Sequence, residues 1–256
     1  MSNVIAIARK ELKGYFNSPI AYVMMGFFAI LYGWFFAAIL MAFEQQSARM
    51  GAAGLGAPAI NLNDQLIRPF FLNVSVIFLF ALPLITMRTY AEEKRSGTIE
   101  LLLTSPLTDL DIVIGKFIGA MGLILAILAV TLPHVAVLFV FAKPEWKPLL
   151  TTYFGFLLMS GCFVAVGLFI SSLTRNQIIA GMVTFAVFLM LWVVDWMGAF
   201  MGPRAQQISE YLSITRHFDD FTKGVLDTRH IVYYASFITF GLFLTARSVD
   251  SERWRG

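Results

Sequence analysis

The chain has 256 residues, of which 58% are hydrophobic and only 14% are charged, and its mean hydropathy is +0.75. A water-soluble domain of this length cannot hide so much apolar surface, because its surface-to-volume ratio requires a polar exterior. The composition therefore excludes an ordinary soluble enzyme and predicts an α-helical membrane protein. The net charge of +3 is spread over short segments between apolar runs, which does not indicate nucleic-acid binding.

The first predicted element is an amphipathic helix over residues 1–18. Arg9, Lys10 and Lys13 fall on one helical face, and apolar residues fall on the other. Such a helix lies in the head-group plane of a membrane, with its basic side toward anionic lipid. Its predicted apolar face consists of Val4, Ile5, Ala8, Leu12, Tyr15 and Phe16.

Six runs that follow are long and apolar enough to cross a bilayer, which takes about 20 helical residues. Each run has to be helical, because a spanning segment must satisfy its own backbone hydrogen bonds. The fold class predicted is therefore an all-α integral membrane protein with six transmembrane helices. The first run is too long for a cleavable signal peptide and is interpreted as a retained anchor. The runs are residues 20–43, 70–87, 117–142, 149–173, 178–201 and 231–246.

The distribution of Lys and Arg predicts the orientation of the chain. With six spans, both termini lie on one side of the membrane, and that side carries eleven of the 19 basic residues. Arg88, Lys116 and Arg247 lie at span ends on this side. Because cytoplasmic loops carry the excess of basic residues, we predict that both termini are cytoplasmic.

Two connections on the opposite side have different patterns. Residues 44–69 contain three glycines and several polar residues, and a flexible connection is expected there. In residues 202–230, apolar residues recur every three to four positions, which predicts one or two short amphipathic helices on the outer membrane face. The recurring residues are Ile208, Tyr211, Leu212, Phe218, Phe221 and Val225.

The connection between the second and third spans, residues 88–116, is the most informative segment. Four charged residues, 92–95, precede Gly97, which interrupts the helix. A short apolar ridge follows, formed by Ile99, Leu101, Leu102 and Leu103. Thr108 and Asp111 have the spacing of a capping box, so a new helix begins there and continues into the third span. Two short helices around a break, with charge beside an apolar ridge, form a docking surface for a soluble partner, and an ordinary solvated loop is the alternative.

Ionisable residues are rare within the spans, where a charge at mid-helix costs about 2.5–3.5 kcal/mol. His134 either fills the polar gap that Pro133 leaves at the carbonyl of Ala129 or lies in a translocation path. Asp195 lies near the outer end of the fifth span between two tryptophans. It is either an interfacial anchor or a polar group of the export path.

Small residues in the spans predict close helix packing. Gly115 with Gly119 and Gly161 with Ala165 have the four-residue spacing that lets two helices approach. Packing within one chain is expected for both pairs, and a dimer seam is the alternative. The single cysteine, Cys162, is expected to be a packing residue, and no Cys/His spacing predicts a metal site.

The 88–116 segment resembles the first cytoplasmic loop of type-2 ABC export permeases. This resemblance rests on Glu92-Glu93-Lys94-Arg95, Gly97-Thr98, Glu100-Leu101-Leu102, Pro106 and Lys116. Residues nearer the C terminus are similar to permeases associated with gliding motility and with nitrous-oxide-reductase maturation. These are His217-Phe218, Phe221, Gly224-Val225, Asp227, Tyr233-Tyr234 and Trp254.

The resemblance implies that residues 1–18 form a connecting helix and that residues 88–116 carry a coupling helix, which sits in a groove of a separate ATPase. Two permease chains, identical or closely homologous, would pair with two cytoplasmic ATPase chains that bind ATP and Mg²⁺. The expected location is the bacterial inner membrane. The implied coupling residues are Glu92, Glu93, Arg95, Gly97, Thr98, Glu100 and Leu101, with Arg175 in a smaller second contact.

The predicted function is a permease subunit that couples ATP hydrolysis to export or to movement of an extracytoplasmic partner, and the external loops leave room for an accessory subunit. The only Gly-Lys pair, Gly115-Lys116, lacks the other residues of a P-loop, so ATP has to be bound by another chain. We predict no catalytic, cofactor-binding or metal-ligating residue. A secondary transporter or channel and an intramembrane enzyme are the alternatives, but both require more buried charge.

Overall fold

The computed structural model describes residues 2–52, 63–141, 144–200 and 202–253. Within these ranges the regular elements are α-helices and one short π-helix, Asn63–Ile67. The α-helices, in chain order, are α1 (Ser2–Asn17), α2 (Pro19–Ala52), α3 (Arg68–Thr86), α4 (Ala91–Ser96), α5 (Thr98–Leu103), α6 (Asp109–Ala129), α7 (Leu132–Phe141), α8 (Trp146–Leu173), α9 (Gln177–Phe200), α10 (Pro203–Leu212), α11 (Ile214–Thr222) and α12 (Thr228–Arg253).

Six helical stretches in the described part of the chain are long and apolar enough to cross a membrane. Each overlaps one of the runs identified in the sequence. The predicted fold class, an all-α protein with six transmembrane helices, is therefore confirmed, and the chain is a multi-pass membrane protein. The six stretches are Ala21–Arg49, Gln65–Ser96, Asp109–Val140, Trp146–Leu173, Gln177–Val194 and Thr228–Arg253.

Helix α8 forms the centre of the bundle and packs against α3, α6, α9, α11 and α12. Small residues bring α12 close to it. A Cβ added to Gly161 would lie 2.9 Å from Ile238 Cδ1, and one added to Gly241 would lie 2.9 Å from Ala165 Cβ. The Gly161 and Ala165 pair therefore packs within the chain, as expected, and Cys162 is fully buried beside it.

Helix α1 packs along α6 on a row of glycines. A Cβ on Gly115 would lie 2.7 Å from Ile7 Cβ, and a Cβ on Gly119 would lie 2.6 Å from Glu11 Cβ. The Gly115 and Gly119 pair is thus also an internal contact, and its partner is the leader helix rather than another span. The predicted leader face is wrong at one residue, because Ile5 is 62% exposed whereas Ile7 is buried.

The third span is interrupted between α6 and α7, one turn before Pro133. The backbone tightens there, with the Val130 amide donating to the Ile127 carbonyl and the Thr131 amide to the Leu128 carbonyl. The Thr131 and Tyr153 hydroxyls are hydrogen-bonded across to α8. Helix α3, in contrast, continues through its internal Pro83. The interruption shows that a side-chain contact to a neighbouring helix accompanies the break that Pro133 imposes.

The short helices predicted within residues 202–230 are present as α10 and α11. Their placement on the outer membrane face stays a prediction, and the apolar face of α11 packs against α8. Phe218 and Phe221 are fully buried. The Thr151 hydroxyl of α8 donates to the Phe221 carbonyl over 2.7 Å, and Gly155 leaves room for the Phe221 ring. We name this end of the bundle, where His217 and His230 lie, the histidine end. The opposite end, which contains residues 88–116, is named the loop end.

Candidate functional site

The candidate site is built on two short helices, α4 and α5, that meet at Gly97. This residue has φ +72°, a left-handed conformation that glycine adopts without steric cost. The helix break predicted at Gly97 is therefore confirmed. The capping box is also confirmed, since the Thr108 hydroxyl accepts from the Asp111 amide and the Asp111 carboxylate accepts from the Thr108 amide. Local signals thus fix where the loop turns and where α6 begins.

The first turn of α4 is held by the end of α8. The Ser171 hydroxyl accepts from the amides of Tyr90 and Ala91 at 3.1 Å each, and it donates to the Met87 carbonyl. The amides at a helix start have no partner within the helix, so a buried start needs an acceptor of this kind. Ser171 therefore fixes the point at which the loop leaves the bundle.

Lys94 fastens α4 to two other helices. Its side chain is only 4% exposed, and Nζ lies 2.5 Å from the Ser172 carbonyl and 2.6 Å from Glu252 Oε1. The C-terminal helix adds a second contact, in which Arg253 pairs with Asp109 at 2.9 Å. Because an ammonium buried this deeply needs a charged partner and hydrogen-bond acceptors, the Lys94 contacts resist separation of α4 from α8 and α12.

Lys116 forms the most buried ion cluster in the described structure. Its side chain is 1% exposed, and Nζ lies 2.9 Å from Glu11 Oε1, 2.9 Å from Glu93 Oε1 and 2.9 Å from the Thr89 carbonyl. These three acceptors satisfy all three donors of the ammonium group. Lys10 lies 3.5 Å from Glu93 and balances the second carboxylate. The cluster joins α1, α4 and α6 at one point.

The sequence-predicted coupling residues divide between two sides of the loop. Glu93 faces the Lys116 cluster and is 16% exposed, whereas Glu92 is about half exposed and pairs with Arg88 at 2.9 Å. Ile99 is buried and anchors α5. The exposed side contains Arg95, Gly97, Thr98, Glu100 and Leu101, the last with 73% of its surface exposed. Arg175 is exposed at the turn between α8 and α9, at the same end of the bundle.

His134, one of two candidate polar residues of the spans, lies between aromatic rings. Its ring packs edge-on against Tyr32 and Phe36, with centroids 4.8 and 5.1 Å away. Its Nδ1 is buried and has no hydrogen-bond partner among the described residues, so that nitrogen does not fill the gap at Ala129. The side chain of the other candidate, Asp195, lies outside the described residues.

A chain of hydrogen bonds at the histidine end was not predicted from the sequence. His217 Nε2 lies 3.1 Å from the Tyr211 carbonyl, and His217 Nδ1 lies 2.6 Å from His230 Nδ1. His230 Nε2 lies 3.0 Å from Asp220 Oδ2. Because a carbonyl only accepts, His217 donates through Nε2, and as a neutral ring it accepts at Nδ1 from His230.

Charges around this chain stabilise the ionised form of Asp220. Burial opposes the charge, but hydrogen bonds from Lys223 and His230 hold the pKa of Asp220 below its ordinary value. Lys223 also lies 2.7 Å from Asp219, which pairs with Arg68 at 2.7 Å. Burial lowers the pKa of His217, and the hydrogen bond to the Tyr211 carbonyl opposes this effect. The described residues contain no group of three His, Cys, Asp or Glu side chains placed to hold a metal ion.

The sequence does not predict the buried ion pairs formed by Glu11, Lys94, Lys116 and Glu252. Lys116 was assigned to the basic residues at span ends, where a side chain normally reaches the aqueous interface. The available signal was its position directly after Gly115 in a glycine row, where a packed leader helix shields it from water. A lysine in such a row needs acidic partners from the covering helix, which Glu11 provides.

The structure defines a six-span helical membrane protein with a leader helix packed along the third span and a two-helix loop between the second and third spans. A family model described as "ABC-2 family transporter protein" matches residues 5–246. The chain therefore belongs to the ABC-2 transporter family. The narrower gliding-motility and nitrous-oxide subgroup stays a prediction.

The chain is also similar to a curated protein named "Probable multidrug ABC transporter permease YbhR" from Escherichia coli strain K12. The two sequences are 30% identical over 159 residues, which is 59% of this chain and 41% of the relative. The protein of that name from Escherichia coli O157:H7 matches with the same values. The aligned part thus spans less than half of the relatives' length.

Proposed function

We propose that the chain is the membrane permease subunit of an ABC transporter and that the exposed side of α4 and α5 docks on a separate cytoplasmic ATPase. Family membership supports the permease role. The proposal of a docking surface rests on one observation, which is that the loop has two different sides. One side is fixed by buried ion pairs, and the other presents Leu101 and Glu100 to solvent.

The buried side provides a physical route from the ATPase to the membrane. Separating one partner from a buried ion pair costs about 3–5 kcal/mol, so the loop and the helices it is paired with move together. Lys94 connects α4 to α8 and α12, and Lys116 connects it to α1 and α6. A displacement of α4 and α5 by the ATPase therefore reaches four other helices without an intervening flexible segment.

The assembly proposed has two permease chains, identical or closely homologous, and two ATPase chains that bind ATP and Mg²⁺. The bacterial inner membrane and cytoplasmic termini are proposed with it. Arg9, Lys10 and Lys13 support this orientation, because they are exposed on α1 at the loop end, where a cytoplasmic leaflet offers anionic lipid. Arg175 is a second ATPase contact in the proposed assembly.

Export of small molecules is proposed in preference to movement of an extracytoplasmic partner. The support is the name of the relative, which is described as a probable multidrug permease. In inverted membrane vesicles, ATP-dependent uptake of an amphiphilic dye should occur with the complete complex. Vesicles that hydrolyse ATP without accumulating any of a panel of dyes would support movement of a partner, in which case an accessory subunit should copurify.

The docking proposal is tested by purifying the native complex and measuring Mg²⁺-dependent ATP hydrolysis that accompanies the tagged chain. Leu101→Asp should reduce this copurifying activity at least about tenfold, because it places a charge at the centre of a desolvated contact. The matched control is Leu226→Asp, a change at an exposed leucine of the histidine end. Full activity in the Leu101→Asp complex, or equal losses in both variants, would contradict the docking surface.

A further inference from the structure

A cavity of about 330 Å³ lies at the loop end between α1, α2, α3 and α4. Its two walls differ in chemistry. Met24, Leu84 and Ile85 belong to an apolar wall, and the charged wall contains both signs, with Lys10, Arg88, Glu11, Glu92 and Glu93. A cavity that is apolar on one side and charged on the other matches an amphiphile better than a fully polar solute or a hydrocarbon.

The charged wall contains an acceptor that the protein does not use. Glu93 Oε1 lies 2.9 Å from Lys116 Nζ and 3.5 Å from Lys10 Nζ. Glu93 Oε2 is buried and has no hydrogen-bond partner among the described residues. A buried carboxylate oxygen without a donor is costly, so a ligand in the cavity that donates a hydrogen bond to it is favoured once the Glu93 side chain turns this oxygen, which has almost no accessible surface, toward the cavity. An ammonium group has three donors and no acceptor.

The same wall contains two cations that have hydrogen-bond donors not used within the protein. Arg88 uses Nε and one terminal nitrogen on Glu92, which leaves further N–H donors of its guanidinium group. Lys10 is 64% exposed and makes only a long contact, 3.5 Å, to Glu93. A phosphate next to the ammonium would find these two cations, so the wall is complementary to an ammonium and phosphate zwitterion.

The apolar wall continues to the lipid-facing surface. Leu84 lies on α3 within a candidate span and is 48% exposed, and the adjacent Ile85 is buried. An alkyl chain whose head group occupies the cavity can therefore leave it along Leu84 without crossing a polar surface. The position of the charged wall beside the amphipathic α1 places the head group at the depth of the membrane interface.

We propose that this cavity binds a phospholipid with a primary ammonium head group, for which phosphatidylethanolamine is the probe. Glu93 Oε2 requires an N–H donor, and a choline head group has none, so the site distinguishes the two zwitterionic lipids. The two cations would pair with the lipid phosphate, and the apolar wall would contact the acyl chain. The proposal does not depend on which ATPase the chain binds.

The test measures lipid retention by the full-length chain with native mass spectrometry. The purified protein is exchanged into detergent that contains equal amounts of phosphatidylethanolamine, phosphatidylcholine and phosphatidylglycerol. One phosphatidylethanolamine should be retained, with a preference of at least about tenfold over phosphatidylcholine, as expected for one charge-assisted hydrogen bond. Glu93→Gln should remove most of that preference. Soluble glycerophosphoethanolamine should not displace the lipid, because it lacks the acyl chains.

A pair of glycine variants separates the site from general stability. Gly14 lines the cavity, and a Cβ there meets no atom of the described residues within 4 Å. Gly26 has the same open surroundings and lies outside the cavity lining. Gly14→Leu should lower phosphatidylethanolamine retention about tenfold, whereas Gly26→Leu should leave it unchanged. Equal retention in the two variants would overturn the proposal, even if Glu93→Gln does not fold. Equal retention of the two zwitterionic lipids, or a preference for phosphatidylglycerol, would also overturn it.

Discussion

The loop end and the histidine end are both fastened by charged side chains, but with groups of different kinds. At the loop end, Lys94 and Lys116 pair with glutamates and are almost completely buried. At the histidine end, the His217 and His230 rings are linked to Asp220. Lysine and glutamate keep their charges near neutral pH, whereas histidine changes its charge between about pH 5 and 8.

This difference suits the two ends to different tasks. A connection that transmits force, as proposed for the loop end, has to stay paired in every step of a cycle. The histidine chain holds α11 against α12 only while His217 stays neutral, because two protonated Nδ1 atoms cannot lie 2.6 Å apart. We therefore expect the histidine end to loosen in acid, and residues 88–116 of the loop end, which contain no histidine, serve as the comparison.

The largest expected effect is the loss of the Lys116 charge. Lys116→Met leaves Glu11 and Glu93 close together without their shared cation, and it should destabilise the protein by about 3–5 kcal/mol. Thermal unfolding in detergent measures this loss. The corresponding change at the histidine end, Arg68→Met, removes one of the two cations paired with Asp219, in a pair whose side chains are 35% and 19% exposed. It should cost only about 1 kcal/mol, so equal losses would contradict the contrast between the ends.

A second comparison uses one glycine at each end of the bundle against which a neighbouring helix packs closely. Gly119→Ala brings a Cβ to 2.6 Å from Glu11 Cβ, and Gly155→Ala brings one to 2.6 Å from Phe221 Cβ. Both variants should be destabilised by about 1–3 kcal/mol, because their surroundings are tightly packed.

The two glycine variants should differ in the activity of the assembled complex. Gly119→Ala displaces α1 from the Lys116 cluster and should lower the copurifying ATP hydrolysis, whereas Gly155→Ala should leave it near the wild-type value. A Gly155→Ala complex as impaired as the Gly119→Ala complex would show that general stability, rather than the leader contact, controls coupling.

The parts of the loop end that could be predicted from sequence are those fixed by neighbouring residues. Thr108 and Asp111 are three positions apart, and Gly97 needs only its own backbone conformation, so both signals are readable in one sequence. The ion cluster could not be predicted, because Lys116 and Glu11 are 105 positions apart and nothing local selects that pairing.

The error at the leader helix has the same cause. Ile5 and Ile7 both fit an apolar face by periodicity, and the choice between them depends on the glycine row of α6 against which α1 packs. The histidine chain was missed because His217 and His230 lie on two separate helices, although their separation in sequence is only 13 residues. Periodicity finds helices, but contacts between helices need the tertiary structure.

The pH dependence of the histidine end is a smaller effect. Because burial lowers the pKa of His217 below 6.5, the unfolded chain binds the proton more tightly than the folded chain does. The stability from this group is therefore present above pH 6.5 and is lost as the pH falls from there through the lowered folded-state pKa. Protection factors of the α11 amides, which correct for the intrinsic pH dependence of exchange, should be lower at pH 5 than at pH 7.5, and α4, which contains no histidine, serves as the comparison.

The control for this prediction uses the histidine in the spans. His217→Gln can still donate to the Tyr211 carbonyl and accept from His230, but it does not titrate, so α11 should lose its acid sensitivity. His134→Gln should retain it. The titratable and charged groups around His217 are unchanged in both variants, so acid sensitivity that persists in His217→Gln would assign the effect to one of them. These groups are His230, Asp219, Asp220, Lys223 and Arg229.

The smallest expected effect separates exposed from buried ionic contacts within the loop end itself. Arg253→Gln removes the contact with Asp109, in which the two side chains are 39% and 20% exposed. Solvent screens such a pair, so the loss should be about 0.2–1 kcal/mol and should become smaller in high salt. Lys94→Gln acts on the same helix, α12, but at a buried contact, and its larger loss should persist in salt. Thermal unfolding at 0.05 and 0.5 M NaCl measures the salt dependence of the two losses. An equal salt dependence in the two variants would mean that water reaches Lys94 and that packing, rather than the Lys94 charge, holds α4.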